Sequence, residues 1–476
     1  MKVAAFGSIA LASLLGACSM APDYQRPAMP VVDGYKEAGD WKTAQPADSA
    51  ARGAWWSVFG DADLDALEAR IADGNQNLQA AVARLQQSRA TARYAGADAL
   101  PSVDAKAAFT RQRTSQNRPL YSPAAPSVYN DFLLSADLSY EIDLWGRVRN
   151  SVAVANRGAE AAAADLATVT LSTQAELALD YFALRASDAA QGVLDQSVAA
   201  YAKALELTGN RYRGGAAAAV DVAQAETQLQ SAKTQAAEMR LRRAQLEHAI
   251  AVLVGVPPAQ FSLAPTALTV TLPDIDPGLP SALLERRPDV AAAERQVAAA
   301  NASIGVARAA YFPVFSLAAI AGYESGNSSS WIEAPSRLWS FGPSALFTLF
   351  DGGRRHALSD KARAEHEEAV ARYRQSVLDA YREVEDGLVA LRQLQQEATS
   401  QAAAADASQR ALQQAQYRYK GGVSTYLEVV TAQSAALQSQ LASIEIQNRR
   451  AGASVLLVKA LGGGWSSANL TRAASR

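Results

Sequence analysis

Only one cysteine, three histidines and four methionines occur in the 476 residues. A single thiol excludes an internal disulfide, and His248, His356 and His366 show no ligand spacing, so no metal site is expected. Met1, Met20, Met29 and Met239 are too scattered for a thioether relay. No nucleophile–base pair and no phosphate-binding loop can be picked out, so neither an enzyme nor a cofactor is expected. Net charge is −2 with no basic block, which gives no support for nucleic-acid binding. No apolar run reaches the ~18 residues of a membrane-spanning helix. Aromatics make up only 7% against 49% hydrophobic residues, and alanine dominates that share. Alanine with Gln, Glu, Leu and Arg is the composition of long helices in mutual contact.

What is present is a duplication. Arg211-Tyr212-Arg213-Gly214-Gly215 returns as Arg418-Tyr419-Lys420-Gly421-Gly422, and Gly214 and Gly421 are 421 − 214 = 207 residues apart. Gly146 and Gly353, and Gly255 and Gly462, repeat the same offset. Three matches at one spacing mark an internal two-fold repeat. The double-Gly pentads are predicted to be the tips of two helical hairpins.

The front of the chain carries an address. Met1-Lys2 and the apolar Val3–Leu15 end in Leu14-Leu15-Gly16-Ala17-Cys18, a signal peptide over 1–17. Leu-Gly-Ala-Cys is also a lipobox, which makes Cys18 the candidate lipidation site, with an N-acyl and an S-diacylglycerol group. Several acyl chains, at ~0.8 kcal/mol per buried methylene, anchor far better than one. Residues 18–54, rich in proline and polar residues, are predicted to be a tether.

The first repeat is assigned to 55–255. It has a helix from Ala62 to about Ala99, a β-hairpin over 102–145, a long helix over 147–213 and a return helix over 216–254. The clearer strand alternates Leu134, Ala136, Leu138, Tyr140, Ile142 and Leu144 with Ser135, Asp137, Ser139, Glu141 and Asp143. A linker over 256–282 leads to the second repeat, 283–462, with a helix from Leu283 to Ala310, a hairpin over 314–351, a long helix over 354–420 and a return helix over 424–461. Residues 463–476 are a tail. Pro101 and Pro313 differ by 212, so the first copy holds five more residues between its proline and its glycine, in the hairpin.

A helix of about 67 residues is ~100 Å long at 1.5 Å per residue. The hairpin lies at one end of that rod and the double-Gly tip at the other. Four strands of about ten residues with one apolar face suit a membrane barrel, but four cannot close, and open edges cannot face lipid. Closure would need several chains. A small soluble β-cap on a coiled-coil rod is the alternative.

Cys18 with Ala21–Pro27, Trp55-Trp56 through Asp61, Asn75–Ala81, Asp143–Arg147, Arg287–Glu294, Phe347–Arg354 and Tyr419–Gln433 together resemble the TolC-type outer-membrane factors, in their OprM-like lipoprotein branch. The matches run in order from residue 18 to about 462. The resemblance implies an α+β, trimeric TolC-like channel-tunnel, with four strands per chain in a shared 12-strand outer-membrane barrel above a long α-helical periplasmic barrel. It implies partners too: a periplasmic adaptor and an inner-membrane transporter of the resistance-nodulation-division class. The expected function is the outer-membrane channel of a tripartite efflux pump, exporting drugs or other toxic small molecules. A type I secretion channel and a non-conducting lipid-anchored scaffold are the alternatives.

Arg211, Arg213, Gly214, Gly215, Arg418, Lys420, Gly421 and Gly422 are the candidate adaptor-docking tips. Asp221, Tyr426, Leu427 and Glu428 are the candidate periplasmic gate. Asp221 and Glu428 are repeat-equivalent, and in a trimer they would form a ring of six carboxylates favouring cations. Thr425 through Glu428 also has the form of a capping box, which would occupy Glu428. The branch carries an Asp and then a basic residue where this chain has Thr431 and Ser434. A constriction by Leu427 and Tyr426 is therefore expected instead of a charged gate.

Overall fold

The computed structural model describes residues 19–29, 34–38, 54–119, 122–124, 126–266, 268, 286–463 and 465. The leader, Cys18, most of the tether and linker, and the tail beyond residue 465 lie outside them. Among the described residues run α1 (Ala62–Gly74), α2 (Gln76–Ala97), β1 (Ser102–Arg113), β2 (Val128–Ile142), α3 (Arg147–Arg213) and α4 (Ala219–Leu253). The second half follows with α5 (Pro288–Ala309), β3 (Val314–Ser325), β4 (Arg337–Leu346), α6 (Arg354–Lys420) and α7 (Tyr426–Ala460). Both α3 and α6 have 67 residues and both α4 and α7 have 35, each pair offset by 207.

Two compact units emerge. One, the sheet unit, comprises the described residues of Met1–Ala28, Leu85–Ala162 and Ala292–Arg374. The other, the helical unit, comprises those of Met29–Arg84, Ala163–Ala291 and Gln375–Arg476.

The helical unit begins with a well-specified helix start. Asp61 has an extended backbone, and its carboxylate accepts the amides of Asp63 and Leu64 at 3.0 and 3.1 Å, capping α1. It also accepts the Tyr181 hydroxyl at 2.8 Å. Leu64, Leu67 and Ile71 recur at helical spacing and fill a core with Leu177, Phe182, Ile250 and Val455. Truncating one such residue to alanine costs roughly 2–5 kcal/mol. Small residues at Ala225, Ala232 and Ala236 let the helices approach, which explains why so alanine-rich a chain still packs.

The helix expected without interruption from Ala62 to Ala99 is broken at Asn75, whose ψ is 115°. The Asn75 carbonyl oxygen of the side chain accepts the Leu78 amide at 2.9 Å and so starts α2. Its side-chain amide donates to the Leu253 carbonyl at 2.9 Å, tying the break to the end of α4. Contact here is so close that a Cβ on Gly74 would lie 2.2 Å from the Val254 oxygen, and one on Gly255 2.0 Å from the Gly74 oxygen. In the second copy Arg287 takes the place of Asn75 and donates to the Ala460 carbonyl at 3.1 Å. The two positions are 287 − 75 = 212 apart and the acceptors 460 − 253 = 207 apart, the two offsets of the duplication.

All four long-helix ends close in the same way. The amides of Ala216 and Gly215 reach back to the carbonyls of Arg211 and Tyr212 at 2.8 and 2.9 Å, a Schellman motif. Val423 and Gly422 repeat it, and so do the ends of α4 and α7. The second glycine of each pentad carries the left-handed turn, with φ of 76° at Gly215 and 73° at Gly422.

The sheet unit holds one antiparallel sheet in the order β1-β2-β3-β4. Strand β2 starts six residues before the predicted Leu134, and β4 spans Arg337–Leu346, ending five residues short of the end of the hairpin expected over 314–351. Backbone pairing extends the one and shortens the other, which side-chain alternation alone does not reveal.

Candidate functional site

In the sheet unit, register sorts every side chain to one of two faces. Phe109 opposes Phe132; Ala105, Ala136, Ala321 and Trp339 align; Val103, Leu138, Ala319 and Phe341 align. Trp339 and Phe341 on this apolar face are 80% and 66% exposed. The opposite face carries Asp104, Lys106, Ser135, Asp137, Ser139, Glu141, Ser316 and Ser344. Asp104 stands directly across from Asp137, a like-charge pair that only a wet face tolerates. The two outer strands, β1 and β4, each have one edge unpaired among the described residues.

Aromatics close both ends of the apolar band. Phe132 packs on Phe109 at 4.7 Å and on Trp331 at 5.5 Å between ring centroids. Trp145 stacks on Phe312 at 4.7 Å and donates its indole N–H to the Pro313 carbonyl at 2.8 Å. From Phe132 to Ile142 are ten strand steps, ~33 Å. At a tilt of ~40° that is ~25 Å in height, the apolar thickness of an outer-membrane barrel wall. Ionic residues sit just below: Arg147 grips Glu141 with two bonds of 2.8 and 2.6 Å, and Arg149 pairs with Asp143 at 3.2 Å.

In the helical unit, the hairpin tips of the two copies meet. The Arg211 guanidinium lies 4.6 Å over the Tyr419 ring and donates to the Tyr419 carbonyl at 3.1 Å. Tyr419 in turn packs on Tyr426, with centroids 5.2 Å apart, and both are buried with Ala225, Ala415 and Val429. Burial, helped by Tyr419, Tyr201 and Asp221, pushes the Tyr426 hydroxyl up to about 12. Arg213, Gly214, Gly215, Arg418, Lys420, Gly421 and Gly422 remain on the surface, and Arg213 bonds Asn210.

Two expectations need correction. Tyr426 is only 2% exposed, so its ring cannot line a passage; assembly can only bury it further. Leu427 beside it is 55% exposed. The capping box at Thr425 does not form: its side chain makes no cap bond, and Glu428 pairs with Arg418 at 3.5 Å. In the other copy Asp221 does accept the Ala218 amide at 3.2 Å. The two copies also differ where the pentads are alike, since Tyr212 is exposed while its counterpart Tyr419 is buried. Ser434, at one of the positions that depart from the lipoprotein branch, accepts from Gln228 at 3.1 Å. Thr431 bonds its own helix at Leu427. Neutral bonds thus stand at both of these positions. Nothing in the linear pattern marked Gln228 or Tyr201, whose hydroxyl donates to the Gln433 carbonyl at 3.3 Å.

A sheet with one apolar and one polar face and two open edges, together with a duplicated set of very long helices, fits a channel protein of the outer membrane. The family described as outer membrane efflux protein matches residues 69–256 and 279–463. The chain is 35% identical to outer membrane protein OprJ of Pseudomonas aeruginosa over 475 residues, covering 98% of this chain and 97% of that protein. It is 32% identical to the toluene efflux pump outer membrane protein TtgF of Pseudomonas putida, covering 96% of each. Its fold superposes on the outer membrane channel MtrE of Neisseria gonorrhoeae with a TM-score of 0.83 at 29% identity, covering 94% of this chain and 99% of that one. The chain belongs to the outer membrane efflux protein family, as the outer-membrane channel of an efflux pump. This is the trimeric TolC-like channel-tunnel fold, in which four strands are one chain's share of the barrel.

Proposed function

We propose that three copies of this chain, anchored through acylated Cys18, form the exit duct of a tripartite pump. A periplasmic adaptor and a resistance-nodulation-division transporter load it with toxic small molecules. The open amphipathic sheet carries this reading: its faces suit lipid and water, and its edges need neighbours. Relatives named for toluene, solvent, antibiotic and pyoverdine transport at 31–32% identity support a broad cargo class chosen by the transporter. The same names favour efflux over protein secretion.

At the tip, Leu427 serves as the apolar constriction and Asp221 and Glu428 as the charged rim, with Tyr426 as a buried pivot beneath Leu427. Arg213, Arg418 and Lys420, with the two double-glycine turns, form the adaptor-facing surface, and Arg211 links the two tips within the chain. Reconstitution in planar bilayers tests the reading. A trimer with discrete conductance steps is expected, together with palmitate labelling that Cys18→Ser abolishes. A folded chain that never conducts would leave only the scaffold.

A further inference from the structure

Residues 19–24 lie along one stripe of α5. Glu294, Asn301 and Gly305 are spaced by seven and four, which places them on a single helix face. Eleven rises of 1.5 Å make that stripe about 16 Å long. Five extended steps from Ser19 to Tyr24 cover about the same distance, ~17 Å. The contacts follow this match, with the segment running antiparallel to the helix. The Ser19 hydroxyl donates to Asn150 Oδ1 at 3.2 Å, in the first turn of α3. Asn301 Nδ2 donates to the Pro22 carbonyl at 2.8 Å. The Tyr24 hydroxyl donates to Glu294 Oε1 at 2.5 Å.

Two features show that the stripe is shaped for this occupant. Glu294 is buried, and its second oxygen is held by Arg295 at 2.8 Å, while Arg295 also reaches Glu160 at 2.9 Å. A Cβ on Gly305 would stand 2.4 Å from Asn150 Nδ2, 2.7 Å from the Ala21 Cβ and 2.8 Å from the Ala21 nitrogen. Only a residue without a side chain leaves room for the segment.

We propose that this stripe, closed by Asn150, is a binding groove for the segment that follows the acylated cysteine, and that it fixes where the acyl chains leave the protein. The inference rests on the lipid-anchor reading above. Ser19 is one peptide step from Cys18, ~3.8 Å between Cα atoms. Asn150 lies four residues after Gly146, where the chain has just left β2. Acyl chains seated here enter the bilayer beside the strand ends, not wherever a tether reaches.

The test uses the full chain in isolated outer membranes, labelled with palmitate and digested with chymotrypsin, which cuts after Tyr24. Gly305→Ala adds one methyl group and favours the helix itself, so a loose segment cannot be put down to a weakened α5. The expected result is slow loss of label from the full-length chain in wild type, loss at least tenfold faster in Gly305→Ala, and an intermediate rate in Asn301→Ala. Trimers persist in all three. Cleavage rates within twofold of wild type for both variants would overturn the groove. If Gly305→Ala gives no trimer, Asn301→Ala, which adds no bulk, decides. A chain that takes up no label but stays protected at Tyr24, read by mass, would overturn the anchor and leave the groove standing.

Discussion

Glu68 should make the helical unit less stable as pH rises. It lies on the buried face of α1 with Leu64, Leu67 and Ile71, is 2% exposed, and neither carboxyl oxygen has a hydrogen-bond partner among the described residues. Burial, with Asp65 nearby, raises its pKa from the usual 4.5 to about 9. In the folded chain it is therefore protonated at pH 7, while in the unfolded chain it is ionised. A raised carboxyl contributes its full stability below about 4.5 and loses it progressively up to about 9. From 4.5 to 7 is 2.5 pH units, which at ~1.36 kcal/mol each amounts to at most ~3 kcal/mol. Unfolding entropy of ~2.1 cal/mol/K per residue over 476 residues turns that into a shift of about 3 °C. Glu68→Gln keeps the shape and cannot ionise. Melting of wild type and variant, compared from pH 4 to pH 9, should show curves that coincide near pH 4 and separate by a few degrees above pH 7, the variant higher. A gap that does not change with pH, or a wild type that is the more stable at pH 8, would refute the reasoning.

Other outcomes follow from the same structure. Asp188 is held between Arg185 at 3.3 Å and Arg243 at 2.6 Å, but Arg185 also pairs with Asp63 at 2.8 Å and Arg243 with Glu247 at 3.1 Å, so Asp188→Ala should cost about 1.5–3 kcal/mol, measured by denaturant unfolding. Leu427→Ala should raise single-channel conductance without lowering the melting temperature, whereas Tyr426→Ala should lower stability by roughly 3–5 kcal/mol. Equal conductance in Leu427→Ala and wild type would remove Leu427 from the gate. Arg211→Ala removes a stacked cation worth ~0.5–2 kcal/mol and the bond to Tyr419, and should increase the time spent open in bilayer recordings.

Much of the architecture was legible in the linear chain because it depends on local chemistry. Single glycines such as Gly158 and Gly192 lie within the long helices, but the paired glycines mark their ends, and both 67-residue helices stop inside the double-Gly pentads. The strand faces follow from a period of two, which survived even though β2 begins at Val128 and not Leu134. The break at Asn75 was legible only in part. Gly74-Asn75 offers a helix stop and an N-cap, but the apolar period runs through it without a shift, and the bond to the end of α4, 178 residues away, is what fixes the break there.

The gate divides along the same line. That acids follow each tip, and that the tips repeat at 207, is a property of the sequence alone. Which tyrosine is buried is not, because Tyr212 and Tyr419 sit in near-identical pentads. Their fates differ because Arg211 of the first tip lies over Tyr419 of the second, leaving Tyr212 in solvent. A duplicated sequence determined two equivalent hairpins. Packing the two against each other made them unequal, since a face that meets its copy off-axis cannot present the same side chain to the same neighbour twice.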